Sequence, residues 1–210
     1  MNLHGLYAIT PEPTRCSRPL TEAVEQAIAG GARLIQYRHK GMDPLERRSQ
    51  AKALLTICRR REVPLIVNDD LELTVAIGAD GVHLGRDDGD PLQARVRLGP
   101  DRLIGVSCYN CLENAQRARD LGADYVAFGS FFPSSSKPLA VQADPALLRR
   151  ARNALDLPIV AIGGISPENG GPLIAAGAHM LAVIDQVFGQ PDIRAAATTL
   201  TELFNTEEHR

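Results

Sequence analysis

Three hydrogen-bond donors recur at every second position of the segment IQYRHK: Gln36, Arg38 and Lys40. In an extended strand, this spacing places the three donors on one face, with Tyr37 and His39 on the opposite face. Two cations on the same face repel each other unless a negative group lies in front of them. The pattern therefore predicts an anion-binding face at the end of a strand, with ordinary surface salt bridges as the competing interpretation.

Acidic side chains follow two later segments of apolar residues. Asn68, Asp69 and Asp70 end the segment IVNDD, and the loop GRDDGD, residues 85–90, follows the next apolar segment. These carboxylates would repel a bound anion unless a divalent cation lay between them, and Mg²⁺ binds a few carboxylates together with substrate phosphates. The charges predict a magnesium–diphosphate site, although Asp70 and Asp90 fit the N-caps of the helices that follow.

Hydroxyl groups and glycines follow the later apolar segments. FFPSSSKP, residues 131–138, supplies three serines and Lys137, and the pair Gly163-Gly164 ends the next segment. Hydroxyl and backbone donors of this kind suit a second phosphate group. The sequence therefore predicts a phosphate site beside the diphosphate site, although composition alone fits a plain flexible loop for the serines equally well.

Eight short apolar segments, rich in β-branched residues, carry these groups. Nearly continuous apolar runs are typical of strands that are covered on both faces. The predicted strands are LYAIT (6–10), RLIQYR (33–38), PLIVN (64–68), GVHLG (81–85), LIGVS (103–107), YVAFG (125–129), PIVAIGG (158–164) and HMLAVID (179–185). Helical patterns lie between them.

Three of these helical patterns have clear ends. The segment 21–31 opens like a capping box at Thr21 and closes on glycine. The segment 43–62 has Asp43 as its N-cap, proline at the first helical position and basic residues at its end, and the segment 144–155 repeats that opening.

A weak internal repeat joins helix ends to strands. Gly–Ala junctions start at positions 31, 78, 122 and 177, so every second βα unit carries one. Glycine there suits the left-handed residue that follows a helix. Eight evenly spaced βα units predict one (β/α)8 TIM barrel over residues 1–210, rather than an open doubly wound sheet, and both folds bind ligands at the carboxyl ends of their strands.

The overall composition excludes several classes of protein. A formal net charge of −2 gives no sign of nucleic-acid binding. The three arginines at 59–61 fit a solvated helix end. No signal peptide and no apolar stretch near the roughly 20 residues of a membrane span are visible, so we expect a cytoplasmic enzyme.

Cysteine and histidine residues give weaker signals. Cys108 and Cys111 form a single C-x-x-C without a second pair at ligand spacing, so zinc or redox chemistry is not indicated. Cys58 lies in an apolar helix stripe and is predicted to be in the core, and Cys16 is expected to be a reduced thiol like the others. His83 is predicted to be packed or hydrogen-bonded rather than a general base.

The ordered motifs of the chain resemble the thiamine phosphate synthase family. QYRHK, IVNDD, GADGVHLG with its DD, GVS, PSSSK, VAIGGI and a final AGA…AVI occur in the order found in that family. The likeness runs from about Leu6 to Val187. A motif such as GGI occurs in many phosphate-binding barrels, whereas the set Q-x-R-x-K, V-N-D and HLG-x-x-D at these distances is quite specific.

The resemblance implies both a reaction and its residues. Family members are TIM barrels that join 4-amino-5-hydroxymethyl-2-methylpyrimidine diphosphate to thiazole phosphate, giving thiamine phosphate and pyrophosphate. Pyrophosphate leaves first with the help of Mg²⁺, which Asp69 and Asp88 are implied to bind, and no nucleophilic side chain is needed. The implied substrate contacts are Gln36, Arg38, Lys40, Asn68, Ser107 and Lys137 for the pyrimidine diphosphate, and Ser134, Ser136, Gly164, Ile184 and Asp185 for the thiazole phosphate.

Two positions depart from the family pattern. The loop has serines where threonines are usual, which keeps the hydroxyl donors. Asp185 stands where many members have serine, and a carboxylate beside a phosphate costs free energy unless it points away or is screened. We expect either that only the backbone N–H of Asp185 is used or that the register of the last strand differs from the predicted one.

Three alternative functions and one structural question are left open by the sequence. The alternatives are a thiazole tautomerase-like paralogue, a sugar-phosphate isomerase or epimerase, and a phosphate-binding module without activity. An isomerase needs an acid–base pair at its strand ends, whereas the groups here have the character of metal and anion ligands. Barrel helices often pair, so a homo-oligomer is also open, although no exposed apolar stripe stands out.

Overall fold

Eight parallel strands pair in chain order and close into a barrel, because the eighth strand also pairs with the first. The computed structural model describes residues 3–12, 18–41, 43–133 and 141–205. The strands are β1 (Gly5–Ile9), β2 (Ala32–Tyr37), β3 (Leu65–Asn68), β4 (Gly81–Leu84), β5 (Leu103–Tyr109), β6 (Tyr125–Phe128), β7 (Ile159–Ile162) and β8 (Met180–Val183). The predicted TIM barrel is confirmed, and each strand limit lies within two residues of its prediction.

Helices follow the strands around the outside of the barrel. Those in the described ranges are α1 (Leu20–Ala29), α2 (Pro44–Arg60), α3 (Leu71–Ile77), α4 (Pro91–Leu98), α5 (Leu112–Asp120), α6 (Ala146–Ala154), α7 (Pro167–Ala175), α8 (Asp185–Phe188) and α9 (Ile193–Asn205). Within these ranges, no helix combines the length and the apolar character that crossing a membrane requires.

Aspartate side chains cap the starts of three helices, as predicted. The Asp43 carboxylate accepts from the backbone N–H of Leu45 at 2.9 Å. Asp70 caps α3 and Asp90 caps α4 in the same way. Each cap satisfies backbone N–H groups that have no partner within the helix.

The predicted capping box at Thr21 is wrong. Helix α1 begins at Leu20, after Pro19, and no side chain caps it. The Pro19 carbonyl already accepts from the N–H of Ala23 at 3.0 Å, so the helix starts before Thr21 and this threonine lies inside the first turn.

Apolar residues are buried on both faces of the strands, in an outer core against the helices and an inner core inside the barrel, which explains the continuous apolar sequences of the strands. Alternate strand residues pack against the helices, and the residues between them fill the inside of the barrel. The inner core contains Leu3, Tyr7, Ile9, Leu34, Ile66, Tyr125, Ala127, Val160, Met180 and Ala182. Because both faces of the strands are largely buried, the strands are mostly apolar before they end, with Tyr7, His83 and Tyr125 as hydrogen-bonded exceptions.

Glycines allow the close approaches that the barrel requires. The four junction glycines at 31, 78, 122 and 177 all have positive φ, as predicted from the repeat. Inside the barrel, a Cβ at Gly105 of β5 would overlap the ring of Tyr125 on β6. The missing side chain at Gly105 therefore makes room for this buried tyrosine.

Gly105→Ala is expected to lower the free energy of unfolding by about 1–3 kcal/mol, the usual cost of overpacking a core. Gly171→Ala in α7 is the control, because a Cβ there meets no atom within 4 Å outside its chain neighbours and its own helix backbone. Helix propensity favours alanine, whereas the following Pro172 disfavours a Cβ on a helical residue, so we expect a change within about 1 kcal/mol of zero. Urea unfolding measures both, and equal values for the two variants would contradict the steric argument.

Candidate active site

A cavity of about 440 Å³ lies at the carboxyl ends of three neighbouring strands, β2, β3 and β4. Its lining residues are His39, Lys40, Arg47, Asn68, Asp69, Asp70, Leu71, Glu72 and Asp88. The loops that follow these strands therefore bring Lys40, Asn68, Asp69 and Asp88 together, although they are separated in sequence. This is the edge at which barrels of this kind bind ligands.

The backbone holds the two central carboxylates in place. Asp69 has a left-handed conformation with φ 63°, and its N–H donates to the carbonyl of His83 on β4 at 2.8 Å. The Asp88 carboxylate accepts from the N–H of Gly85 at 3.0 Å. Both acids are thus fixed by short contacts around the ends of β3 and β4.

Burial raises the pKa of the Asp69 carboxyl, and the hydrogen bond to Asp88 and the charge of Asp88 raise this pKa further. Lys40 and Asn68 act in the opposite direction. Two close carboxylates in a partly buried site cost free energy unless a cation lies near them.

Two acids suit Mg²⁺, which takes one or two protein carboxylates and completes its coordination with water and substrate phosphate. In the described ranges, no group of three or more His, Cys, Asp or Glu side chains is arranged to hold a metal ion. The donor set therefore fits an ion that shares its coordination with a substrate.

The two predicted cations already have carboxylate partners. Lys40 Nζ lies 3.6 Å from Asp69 Oδ2, and Arg38 Nη1 lies 2.9 Å from Glu12 Oε1. The repulsion that suggested a bound anion is therefore relieved in part by the protein itself. Partly exposed ion pairs of this kind contribute only about 0–1 kcal/mol, so both cations are held weakly by their partners.

The predicted alternation of β2 holds only as far as Tyr37. Gln36 points into the barrel, and Tyr37 faces outward, where its hydroxyl donates to Gln50 of α2 at 3.0 Å. The chain then leaves the strand, so His39 lines the cavity together with Lys40. The prediction that His39 faces away from the donors is wrong for this reason.

Comparison with known proteins identifies the family. The family model described as thiamine monophosphate synthase matches residues 6–187. The chain belongs to this family. Thiamine-phosphate synthase of Thiobacillus denitrificans is 54% identical over 203 residues, which cover 97% of this chain and 96% of the relative. The enzyme of the same name from Methylobacillus flagellatus is also 54% identical, with the same coverage.

A solved structure of the same kind agrees. Thiamine phosphate pyrophosphorylase from Pyrococcus furiosus superposes with a TM-score of 0.88 at 34% identity, covering 98% of this chain and 97% of that protein. These comparisons confirm three predictions, namely that the chain is a thiamine monophosphate synthase family member, that it is a transferase and that it makes thiamine phosphate.

Two of the residues that are predicted to contact the substrate, Gln36 and Ser107, lie inside the barrel of this thiamine monophosphate synthase family member. Gln36 is 3% exposed, and its Nε2 donates to Tyr7 Oη at 2.7 Å. Ser107 Oγ lies 2.9 Å from His83 Nε2. The prediction that His83 is packed and hydrogen-bonded is confirmed, since His83 also contacts Tyr125 Oη at 3.1 Å.

The residues predicted for the thiazole phosphate lie at the ends of β7 and β8, which are neighbours. Gly164 has φ 62°, and its carbonyl accepts from Asn169 Nδ2 at 3.0 Å. Ile184 is the N-cap of α8, and Asp185 is its first residue. Ser134, Ser136 and Lys137 lie outside the described residues, so the serine loop stays a prediction.

The structure tests the predictions for three of the four cysteines. Cys58 is fully buried in the outer core, as predicted. Cys108 and Cys111 are free thiols near the end of β5 and the start of α5, and Cys16 lies outside the described residues.

Three residues of the site were missed in the sequence. Arg47 of α2 lies with its Nη2 2.7 Å from Asp70 Oδ2, and its Nε is buried without a hydrogen-bond partner in the described residues. The same holds for both ring nitrogens of His39, while Glu12 pairs with Arg38. No local sequence pattern marks Arg47 or Glu12, and the strand period predicts His39 on the opposite face.

Asp69→Asn is expected to stabilise the metal-free protein at pH 7 by about 0.5–2 kcal/mol, as replacing a strained site residue often does. Because the folded-state pKa of Asp69 is raised, the folded protein binds more protons, and wild-type stability falls as the pH rises from about 3.9 through that raised value. Asparagine also tolerates the left-handed backbone.

Urea unfolding of the Asp69→Asn variant in EDTA at pH 3.5 and pH 7 checks this expectation. The gain should appear at pH 7 and vanish at pH 3.5. Asp101→Asn, at an exposed carboxylate between α4 and β5, is the control and should change neither value. A gain that is equal at both pH values would contradict the electrostatic explanation.

Proposed function

We propose that this chain joins 4-amino-5-hydroxymethyl-2-methylpyrimidine diphosphate to thiazole phosphate and releases pyrophosphate in the cavity at the ends of β2, β3 and β4. The observation that carries this proposal is the meeting of Lys40 with Asp69 and Asp88 in that cavity. Cations and carboxylates at one place suit a metal-bound diphosphate better than the acid–base pair of an isomerase.

Asp69 and Asp88 would hold Mg²⁺, with the remaining ligands from the diphosphate and water. The ion supplies neutralisation of the charge on the leaving pyrophosphate. A divalent cation bound between the two carboxylates would also remove the repulsion between them. For this reason, the two acids suit a divalent cation.

The diphosphate takes the place of the carboxylates that now pair with the cations. Arg38 moves from Glu12 to phosphate oxygens, and Lys40 shares its charge between Asp69 and the diphosphate. Asn68 donates through its amide, and Lys137 acts from the serine loop. Arg47, with its buried Nε in the same cavity, adds a further donor to this set.

The reaction needs no covalent intermediate with the enzyme. The bond between the pyrimidine methylene carbon and the diphosphate oxygen breaks, and its electron pair leaves with pyrophosphate. The aminopyrimidine stabilises the positive charge at the methylene carbon until the lone pair of the thiazole nitrogen forms the new C–N bond. The protein positions both substrates and excludes water, which accounts for much of the rate in such reactions.

The second substrate binds at the ends of β6, β7 and β8. Backbone groups of Gly164, Ile184 and Asp185 hold the thiazole phosphate, together with the hydroxyls of Ser134 and Ser136. We expect the Asp185 carboxylate to point away from that phosphate, since two close negative charges would otherwise repel each other.

The direct test supplies both substrates with Mg²⁺ and measures pyrophosphate and thiamine phosphate. We expect stoichiometric formation of the two products, loss of both when EDTA is added, and recovery with excess Mg²⁺. Folded protein that forms neither product would refute the proposed function.

Arg38→Ala is expected to lower kcat/KM for the pyrimidine diphosphate by about 10–100-fold, since a hydrogen bond to a charged group contributes about 1.5–3 kcal/mol. Arg33→Ala is the matched control, because Arg33 is exposed near the other end of the same strand. That control should stay within about twofold of the wild-type protein. Unchanged kinetics for Arg38→Ala would show that this arginine does not contact the diphosphate.

A further inference from the structure

A continuous chain of hydrogen bonds crosses the inside of the barrel, and we call its members the relay. The distances are 2.7 Å from Gln36 Nε2 to Tyr7 Oη and 2.9 Å from Tyr7 Oη to Tyr125 Oη. The relay continues with 3.1 Å from Tyr125 Oη to His83 Nδ1 and 2.9 Å from His83 Nε2 to Ser107 Oγ. Five strands, β2, β1, β6, β4 and β5, each contribute one residue.

The middle of the relay is closed to water. Tyr7 is 1% and Tyr125 0% exposed, and His83 stacks on Tyr125 with an angle of 29° between the rings. Burial raises the pKa of both phenols above the usual value, so both keep their protons at neutral pH. Polar groups buried in this way are stable only when they are hydrogen-bonded, which ties each member to its neighbours.

The contacts allow one direction of the protons through the whole relay. The Gln36 amide donates to the Tyr7 oxygen, whereas the other three contacts fix no donor by themselves, because a hydroxyl both donates and accepts and the roles of an imidazole depend on its tautomer. In the direction that starts from Gln36, Tyr7 donates to Tyr125, and Tyr125 donates to His83 Nδ1. The neutral imidazole then carries its proton on Nε2 and donates to the Ser107 oxygen, so the Ser107 proton points away from His83.

We infer that Tyr7, Tyr125 and His83 are positioning residues, which fix Gln36 and Ser107 and make the Ser107 hydroxyl a donor to a ring nitrogen of the pyrimidine. This inference rests on the proposed function, because Gln36 and Ser107 are the two residues inside the barrel that the family resemblance predicts to contact the pyrimidine diphosphate. A ring nitrogen accepts hydrogen bonds. A serine hydroxyl that accepts from His83 still has its own proton to donate to such a nitrogen. The relay sets this polarity from positions that do not touch the diphosphate cavity.

The kinetic test is Tyr125→Phe, which removes the central hydroxyl and keeps the ring that packs beside Gly105. The matched control is Tyr37→Phe, because Tyr37 is equally buried and its hydroxyl donates to Gln50 on the outside of the barrel. We expect kcat/KM for the pyrimidine diphosphate to fall about tenfold or more in Tyr125→Phe.

The KM for the thiazole phosphate should stay within about twofold in this variant. Tyr37→Phe should leave both parameters within about twofold of wild type, with a similar shift in Tm. Equal kinetics of the two variants, or an equal loss for both substrates, would overturn the positioning role, because a purely structural effect makes no difference between substrates.

The second test reads the proton on His83 directly and does not depend on turnover. NMR of protein labelled with ¹⁵N-histidine distinguishes the two tautomers, and a His83→Asn variant assigns the signal. We expect the Nε2–H tautomer in the wild-type protein and a mixed population in Tyr125→Phe. An active enzyme with the Nδ1–H tautomer would overturn the relay, whereas a wild-type protein that turns over neither substrate would refute the proposed function.

Discussion

The repulsion between Asp69 and Asp88 is the interaction on which the site depends. Burial and the neighbouring acid both disfavour the charged form of Asp69, yet the barrel holds the two carboxylates together through backbone contacts at the ends of β3 and β4. This free energy is recovered when a cation lies between them. In the proposed function, a metal-bound substrate relieves this unfavourable interaction, and the packed strands below make it tolerable.

The positive charges of the site are also compensated by neighbouring groups of opposite charge. Among the described residues, Arg38 pairs with Glu12 and Lys40 pairs with Asp69, so both of these cations have carboxylate partners in the free protein. These pairs are partly exposed and weak, so in the proposed function a diphosphate replaces them at little cost. Attraction for the substrate would then come from the higher charge of the diphosphate and its metal.

The fold was predictable because burial on both faces leaves a clear apolar signal for each strand, whereas the site was predictable only in part. The apolar segments and the strand-end positions of Lys40 and Asp69 follow from local sequence. Arg47 and Glu12 reach the site from α2 and from the segment after β1, through tertiary contacts that no local pattern encodes. The orientation of His39 failed because the strand period stops where the backbone leaves the sheet at Tyr37.

The relay shows why tyrosines inside a barrel differ from the aliphatic residues around them. Periodicity places Tyr7 and Tyr125 among core residues, and their rings do fill the inner core, but their hydroxyls need partners in a space without water. The strands supply those partners only across the barrel, from Gln36 and His83. The requirement to satisfy every buried polar group thus links core packing to the orientation of Gln36 and Ser107. If these two residues bind the pyrimidine as the inference states, stability and substrate recognition depend on the same hydrogen bonds.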